Sequence, residues 1–283
     1  MTFRLEHHHQ ILTVLESLDS DILRKGSAYF GLPRLRFHRA EPRCSAQVAQ
    51  YKYFGGGTLL AFEFDEYRWS KDVDFIASVG TQGYKYLRTV IFEGGHEALF
   101  RDLSKIQVGR STTDQYGIRM IVFVDDVAIK TEIIAETRFQ LDPPRYLNWS
   151  PVPCLSFNDC FTSKLLSNSD RYADDSVEAR DLIDLAILRL QSPIPQASIE
   201  KAEKAYEVIR PLKRAIERFQ ERPDYREKCF LGLQVDQAQI PKIIDGVDLL
   251  SMDLGLSHTP RAFREQHDIF ADLETQIEKP EDS

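Results

Sequence analysis

The sequence predicts an α/β protein, with strands and helices in its first half and a helical carboxy-terminal half. Two observations carry this expectation. A buried strand and two β-rich runs between Met120 and Phe139 follow two short helical stretches, and beyond a crowd of prolines (Pro143, Pro144, Pro151 and Pro153) apolar residues recur at helical spacing. The prolines mark the expected boundary between residues 1–150 and residues 151–283.

The elements follow in order. Ile11, Leu12, Val14, Leu15, Leu18 and Leu23, with Asp19 and Asp21 on the wet side, predict a short amphipathic helix. His7 to His9 ahead of it read as a short solvated run rather than a metal tract. Gly31 to Lys52, with Arg34, Arg36, Arg39 and Arg43, is bracketed by Tyr29-Phe30-Gly31 and Tyr53-Phe54-Gly55 and reads as a loop-like insertion. Leu59 to Phe64 predicts a helix behind a glycine turn, and Val73 to Ala77 a buried strand. Ile121 to Val124 and Val127 to Ile134 flank Asp125-Asp126, which predicts a hairpin. On its second strand Lys130 and Glu132 share one face, while Ile129, Thr131 and Ile133 share the other. In the second half, Leu182, Leu185, Ala186 and Leu188 form one helical stripe, and Ile199, Ala202, Tyr206 and Ile209 a second, which Pro211 should kink or divide. Glu278 to Ser283 are expected to fray.

Composition excludes several classes. With 42% hydrophobic and 28% charged residues in 283, the chain can bury an ordinary core and is neither disordered nor collagen-like. No apolar run approaches the roughly 20 residues that span a bilayer, and Met1 to Gln10 is polar, so a soluble, cytoplasmic protein is expected. Cys44, Cys154, Cys160 and Cys229 show no CxxC or Cys/His metal spacing and read as reduced thiols. The net charge of −8 lies wholly in residues 151–283, since acidic and basic residues balance before them. A chain of this kind is not coated in phosphate contacts; any basic groove for nucleic acid is local.

The most informative segment is Gly55-Gly56-Gly57-Thr58, followed by Arg68, Ser70, Asp72 and Asp74. Glycines ahead of a helix let backbone amides approach a phosphate, and Thr58 adds a hydroxyl. Asp72 and Asp74 project from one side of a strand, where two hard oxygen ligands suit Mg²⁺ bound to substrate phosphates. Glu132 offers a third carboxylate on another strand, sharing its face with Lys130. Three such carboxylates could hold two metals about 3.5–4 Å apart; alternatively Glu132 and Lys130 form an exposed cross-strand ion pair, and the residues alone do not choose. Lys164, Asn168 and Arg171 would line one helix face, and Asp181 and Asp184 one side of the next, a pattern shared by phosphate clamps and by salt-bridged helix surfaces.

The run from Phe54 to Leu60, with Glu66-Tyr67-Arg68-Trp69-Ser70-Lys71-Asp72-Val73-Asp74-Phe75, strongly resembles the first signature of the AbiEii/AbiGii toxin nucleotidyltransferases. Ile129 to Ile134 looks like the family's second motif, Lys164-Leu165-Leu166 with Asp170-Arg171 its third, and Arg180 to Leu185 its fourth. Leu59 departs from the usual alanine, and the segment Gly31 to Lys52 is longer than the resemblance leads one to expect. That segment could cover the cleft, add a basic strip for an acceptor, or perturb the site.

The resemblance implies a polymerase-β-like nucleotidyltransferase fold, α/β (α+β) with a mixed sheet and flanking helices followed by a helical carboxy-terminal lobe, and with it a nucleoside triphosphate donor, release of pyrophosphate, and Mg²⁺ or Mn²⁺ as cofactor. It implies Asp72, Asp74 and Glu132 as metal ligands and catalytic carboxylates, with Asp181 a late catalytic or supporting aspartate. Gly56, Gly57, Thr58, Ser70, Lys130 and Lys164 are implied on the nucleotide, and Asp184 as a packing or hydrogen-bonded support. It further implies a separately encoded antitoxin as partner and tRNA or protein as acceptor. The competing readings are a catalytically weak nucleotide- or partner-binding module of the same fold, and a metal-dependent phosphotransferase or nuclease using the same carboxylates.

Overall fold

A computed structural model describes residues 6–24, 52–79 and 83–261. The insertion read over Gly31 to Lys52 (all but Lys52), Cys44 and the frayed end Glu278 to Ser283 lie outside the described residues.

The chain opens with helices α1 (Glu6–Ser17) and α2 (Ser20–Arg24), and then alternates strand and helix as β1 (Lys52–Gly55), α3 (Gly56–Glu63), β2 (Asp72–Ser78) and α4 (Gly83–Gly94). Strands β3 (Gln107–Thr113), β4 (Gly117–Val124) and β5 (Val127–Glu136) complete the sheet. Helices α5 (Phe157–Arg171), α6 (Arg180–Gln191), α7 (Gln196–Glu203), α8 (Ile209–Glu221), α9 (Pro223–Gly232) and α10 (Ile240–Asp253) form the second half.

The sheet order is β1-β2-β5-β4-β3. Only β2 and β5 run parallel; the other neighbours are antiparallel, so the sheet is mixed. The predicted hairpin is β4–β5, and Asp125 and Asp126 both take positive φ (46° and 65°), as a two-residue I′ turn requires. Along β2, Val73, Phe75 and Ala77 are fully buried on one face, which leaves Asp72 and Asp74 on the other. Helix α3 has no polar face: Gly57 through Phe62 are all buried, because the helix sits between the sheet and α5 and α6.

Several expectations are corrected. The histidine run is not a solvated prelude: His7 to His9 lie inside α1, and His8 is fully buried. The predicted first helix splits at Leu18, which bridges to Phe100, and Asp19 then caps α2 by accepting from the Ile22 amide (3.2 Å). The stripe from Ile199 to Ile209 is two helices, with Tyr206 between them. Pro211 stands in the first turn of α8, where its missing N–H costs nothing. Helix α4 and strand β3 had no counterpart in the sequence reading.

The proline-rich stretch returns to the sheet rather than leaving it. The Phe54 amide donates to the Pro153 carbonyl and the Leu155 amide to Phe54, both at 2.9 Å. One continuous apolar core then runs from α1 through the sheet to α10. Cys154, Cys160 and Cys229 are free and buried within it. No helix among the described residues is long and apolar enough to cross a membrane.

Helices α6 and α10 approach closely through Gly246, where an added Cβ would stand 2.3 Å from the Ala186 carbonyl oxygen. Gly246→Ala is therefore expected to destabilise the protein. The clash is with backbone and costs about 1–3 kcal/mol, more than the roughly 0.5–1 kcal/mol that alanine contributes over glycine in a helix. The urea midpoint should fall; a midpoint that stays or rises contradicts this packing.

Candidate active site

The glycine turn is shaped by two side chains that press against it. Gly56 has φ of +69°, and a Cβ there would lie 2.4 Å from Asp74 Oδ2; at Gly57 it would lie 1.9 Å from Arg68 Nη2. Only glycine admits both groups, and the turn leaves the first amides of α3 without helical partners. Thr58 lies behind this surface. Its buried hydroxyl donates to the Asp72 carbonyl (2.5 Å) and accepts from Ser70 Oγ (2.7 Å), so it ties the following loop to α3.

The parallel register sets Asp72 beside Lys130 and Asp74 beside Glu132. These four side chains, with Ile76 and Ile134, form one wall of a cleft of about 540 Å³ that Gly56, Gly57, Ser70, Lys164 and Arg171 also line. Burial, together with the neighbouring charges of Asp72 and Glu132, pushes the Asp74 carboxyl up to about 6. Glu132 is engaged by Lys130 two residues away on its own strand and by Arg119 Nε at 3.2 Å across from β4. The ion pair considered from sequence is therefore present, along one strand rather than between two.

Among the described residues, no group of three or more His, Cys, Asp or Glu side chains is spaced as a ready-made metal site. The donor set that fits a hard divalent cation is Asp72 with Asp74, because crowded negative charge that raises a carboxyl is relieved by a cation.

The opposite wall is built by α5 and α6. Asp184, fully buried, accepts a fork from Arg68 (Nε at 2.6 Å, Nη2 at 2.9 Å), a bond from the Tyr67 hydroxyl (2.5 Å) and the Lys164 ammonium (2.6 Å). Lys164 also reaches Asp181 at 3.2 Å, and Arg171 grips Asp181 through Nε (2.6 Å) and Nη2 (2.9 Å). Burial opposes ionisation of Asp184, but Arg68 and Lys164 outweigh it and hold the carboxyl far below the usual range; Lys164 and Arg171 likewise hold Asp181 low. Three cations thus face two carboxylates, which leaves a surplus positive charge within this cluster.

Of the residues expected to contact nucleotide, Gly56, Gly57, Ser70, Lys130 and Lys164 line the cleft, whereas Thr58 is not on its surface. Of the expected catalytic carboxylates, Asp72, Asp74 and Glu132 line it, whereas Asp181 lies behind Lys164 and Arg171. Asp184 is a hydrogen-bonded support. The sequence reading missed the tie from Arg68 and Tyr67 to Asp184, the cleft residues Trp69, Glu178 and Arg180, and the contacts of His7 and His8 in α1 with the Lys71 and Ser70 carbonyls. Arg68 and Arg180 stood inside recognised motifs without assigned tasks; the partners of His8 in α1 gave no signal, since they lie 58 and 62 residues along the chain.

A family model described as nucleotidyl transferase AbiEii toxin, type IV toxin–antitoxin system, matches residues 44–266. A solved structure of a provisionally assigned nucleotidyltransferase from H. pylori is similar at 14% identity, covering 72% of this chain and 86% of that one, with a TM-score of 0.41. JHP933 from Helicobacter pylori is similar at 13% identity, over 80% and 90% of the two chains, with a TM-score of 0.39. No curated protein matches the chain.

Two outcomes follow from this geometry. Arg68→Met leaves Asp184 buried with a lost fork and should cost about 3–5 kcal/mol in urea unfolding; a loss below about 1 kcal/mol would show that the pair is not shielded from solvent. In the metal-free protein, carbon-detected NMR should find the Asp74 carboxyl titrating near 6, and Asp72→Asn should bring it down by removing a neighbouring charge. A carboxyl raised in the folded state disfavours folding once ionised, so the contribution of Asp74 to metal-free stability, read as the difference from Asp74→Asn in urea unfolding, should decline as pH rises from about 4 to 6.

Proposed function

The chain belongs to the AbiEii nucleotidyl transferase toxin family, and from its cleft we propose that it transfers a nucleotide from a nucleoside triphosphate to an acceptor hydroxyl, releasing pyrophosphate. The observation that carries this reading is the convergence, in one cleft, of a glycine turn with open amides, a pair of strand carboxylates and a cation-rich helical wall. Phosphate ligands need the first and third; a hydroxyl attacking phosphorus needs the second. We take residues 1–150 as the catalytic lobe and residues 151–283 as the lobe that completes the nucleotide cleft.

In this reading the amides of Gly56 and Gly57 face the triphosphate, and the surplus charge of the Arg68, Lys164 and Arg171 set draws it in. Ser70 and Lys130 stand at the same surface. Asp72 and Asp74, with Glu132 as the third acidic position, would hold Mg²⁺ or Mn²⁺, which supplies neutralisation of the charge developing on the phosphates. Asp181 acts from behind by fixing Lys164 and Arg171. The chain's own contribution is positioning: it holds donor and acceptor in line while the bond from the acceptor oxygen to the α-phosphorus forms and that to pyrophosphate breaks.

The family assignment supports a cognate antitoxin as partner. The reading is completed by tRNA or protein as acceptor and a cytoplasmic setting, with which the three free buried thiols are compatible.

The test is to incubate the protein with Mg²⁺, each α-labelled nucleoside triphosphate in turn, and total tRNA or the protein itself as acceptor. Label should move to one acceptor and fall at least about a hundredfold in Asp72→Ala or Asp74→Ala. Transfer of only a γ-label would identify a phosphotransferase, shortening of the acceptor a nuclease, and tight nucleotide binding without transfer a binding module.

A further inference from the structure

Helix α1 precedes the matched stretch of the family, yet it touches the site. His8 falls in line with Ile11, Val14 and Leu15 on the buried stripe of α1, where an apolar residue would have served for packing alone. Instead its ring reaches two polar groups at once. Nε2 donates to the Ser70 carbonyl at 3.1 Å, Nδ1 meets the Glu66 carboxylate, and the ring edge rests against Phe62 with centroids 4.8 Å apart. His7 adds a contact from Nε2 to the Lys71 carbonyl at 3.3 Å.

The loop so held joins the glycine-turn helix to the carboxylate strand. It starts with two residues in the left-handed region, Asp65 (φ 57°) and Glu66 (φ 48°), a conformation that non-glycine residues keep only when their surroundings impose it. Ser70 is gripped from both sides, by its hydroxyl on Thr58 and by its carbonyl on His8. Asp72 stands two residues further on, and its own carbonyl is held by Thr58.

We propose that His8 is a positioning residue of the active site: by fixing the Ser70 carbonyl and Glu66, it sets where the Asp72 carboxylate stands relative to Asp74. The inference rests on the reading of Asp72 and Asp74 as the cation-holding pair. Glutamine at position 66 can donate its amide to a neutral ring and keep the bridge; alanine cannot.

The experiment uses the full chain and two readouts: Mn²⁺ affinity from the free-ion EPR signal, and kcat and KM for nucleotide transfer, with circular dichroism confirming the fold. His8→Phe, which fills the space and keeps the contact with Phe62, should weaken Mn²⁺ binding and lower kcat about tenfold each, with KM for nucleotide within about twofold, an effect of roughly 1.4 kcal/mol. Glu66→Ala should behave alike, and Glu66→Gln should recover at least half of the loss. If His8→Phe does not fold, His8→Asn, which is too short to span both partners, carries the same measurement. Wild-type Mn²⁺ affinity and kcat in a folded His8 variant overturn the proposal, as does a Glu66→Gln variant no better than Glu66→Ala. A wild-type protein that binds Mn²⁺ but transfers no label overturns the transferase reading alone, since the effect of His8 is still read in the Mn²⁺ titration; one that binds no Mn²⁺ overturns both.

Discussion

The interaction on which the site depends is the buried fork between Arg68 and Asp184. It ties the loop before β2 to α6 and so fixes the sheet against the helical half. A buried ion pair is a weak source of net stability, because taking both charges out of water offsets most of their attraction. Its value lies in arrangement. Tyr67 and Lys164 fill the remaining acceptor sites of Asp184, and Arg171 continues the chain of charges through Asp181 to the cleft. The same fork explains the glycine turn, since the Arg68 guanidinium occupies the space a side chain would need at Gly57, as Asp74 does at Gly56. The glycines are thus dictated by the protein's own charges before any phosphate arrives.

Those charges divide the cleft. Carboxylates crowd the strand wall, where Asp74 is hard to ionise, and cations outnumber anions on the helical wall. A triphosphate accompanied by a divalent cation complements both walls, whereas either partner alone matches only one. The net charge of −8 is therefore a poor guide to the site, because a whole-chain sum averages over a local separation of sign.

Much of this was legible in the sequence where the signal is local. The β4–β5 hairpin was plain from alternation around Asp125-Asp126, and the shared face of Lys130 and Glu132 from a period of two. The stripe of α6 and the pairing of Asp72 with Asp74 were equally readable. Strand β3 was not, since it lies at the sheet edge with few buried residues and so carries no apolar alternation. Lys164 was placed on the correct helix face, but helical spacing does not say what a face meets, and what it meets is Asp181 and Asp184. His8 was misread outright: its partners lie 58 and 62 residues away, and three histidines in a row look polar from every local viewpoint. Local periodicity reports on elements; tertiary pairing of charges does not leave a periodic trace.

The long reach of the Arg68–Asp184 fork also bears on how the protein is made. The two residues are 116 positions apart, and the parallel strands that bring Asp74 beside Glu132 are separated by α4, β3 and β4. Contacts of such high sequence separation close late, because the entropy of ordering the intervening chain comes first. On a ribosome, a nascent chain that has emerged only through the sheet has its carboxylates but no helical wall opposite them. The cleft becomes whole only after α6 has been synthesised and has docked, so a chain that stops short of α6 lacks the wall that faces the carboxylates.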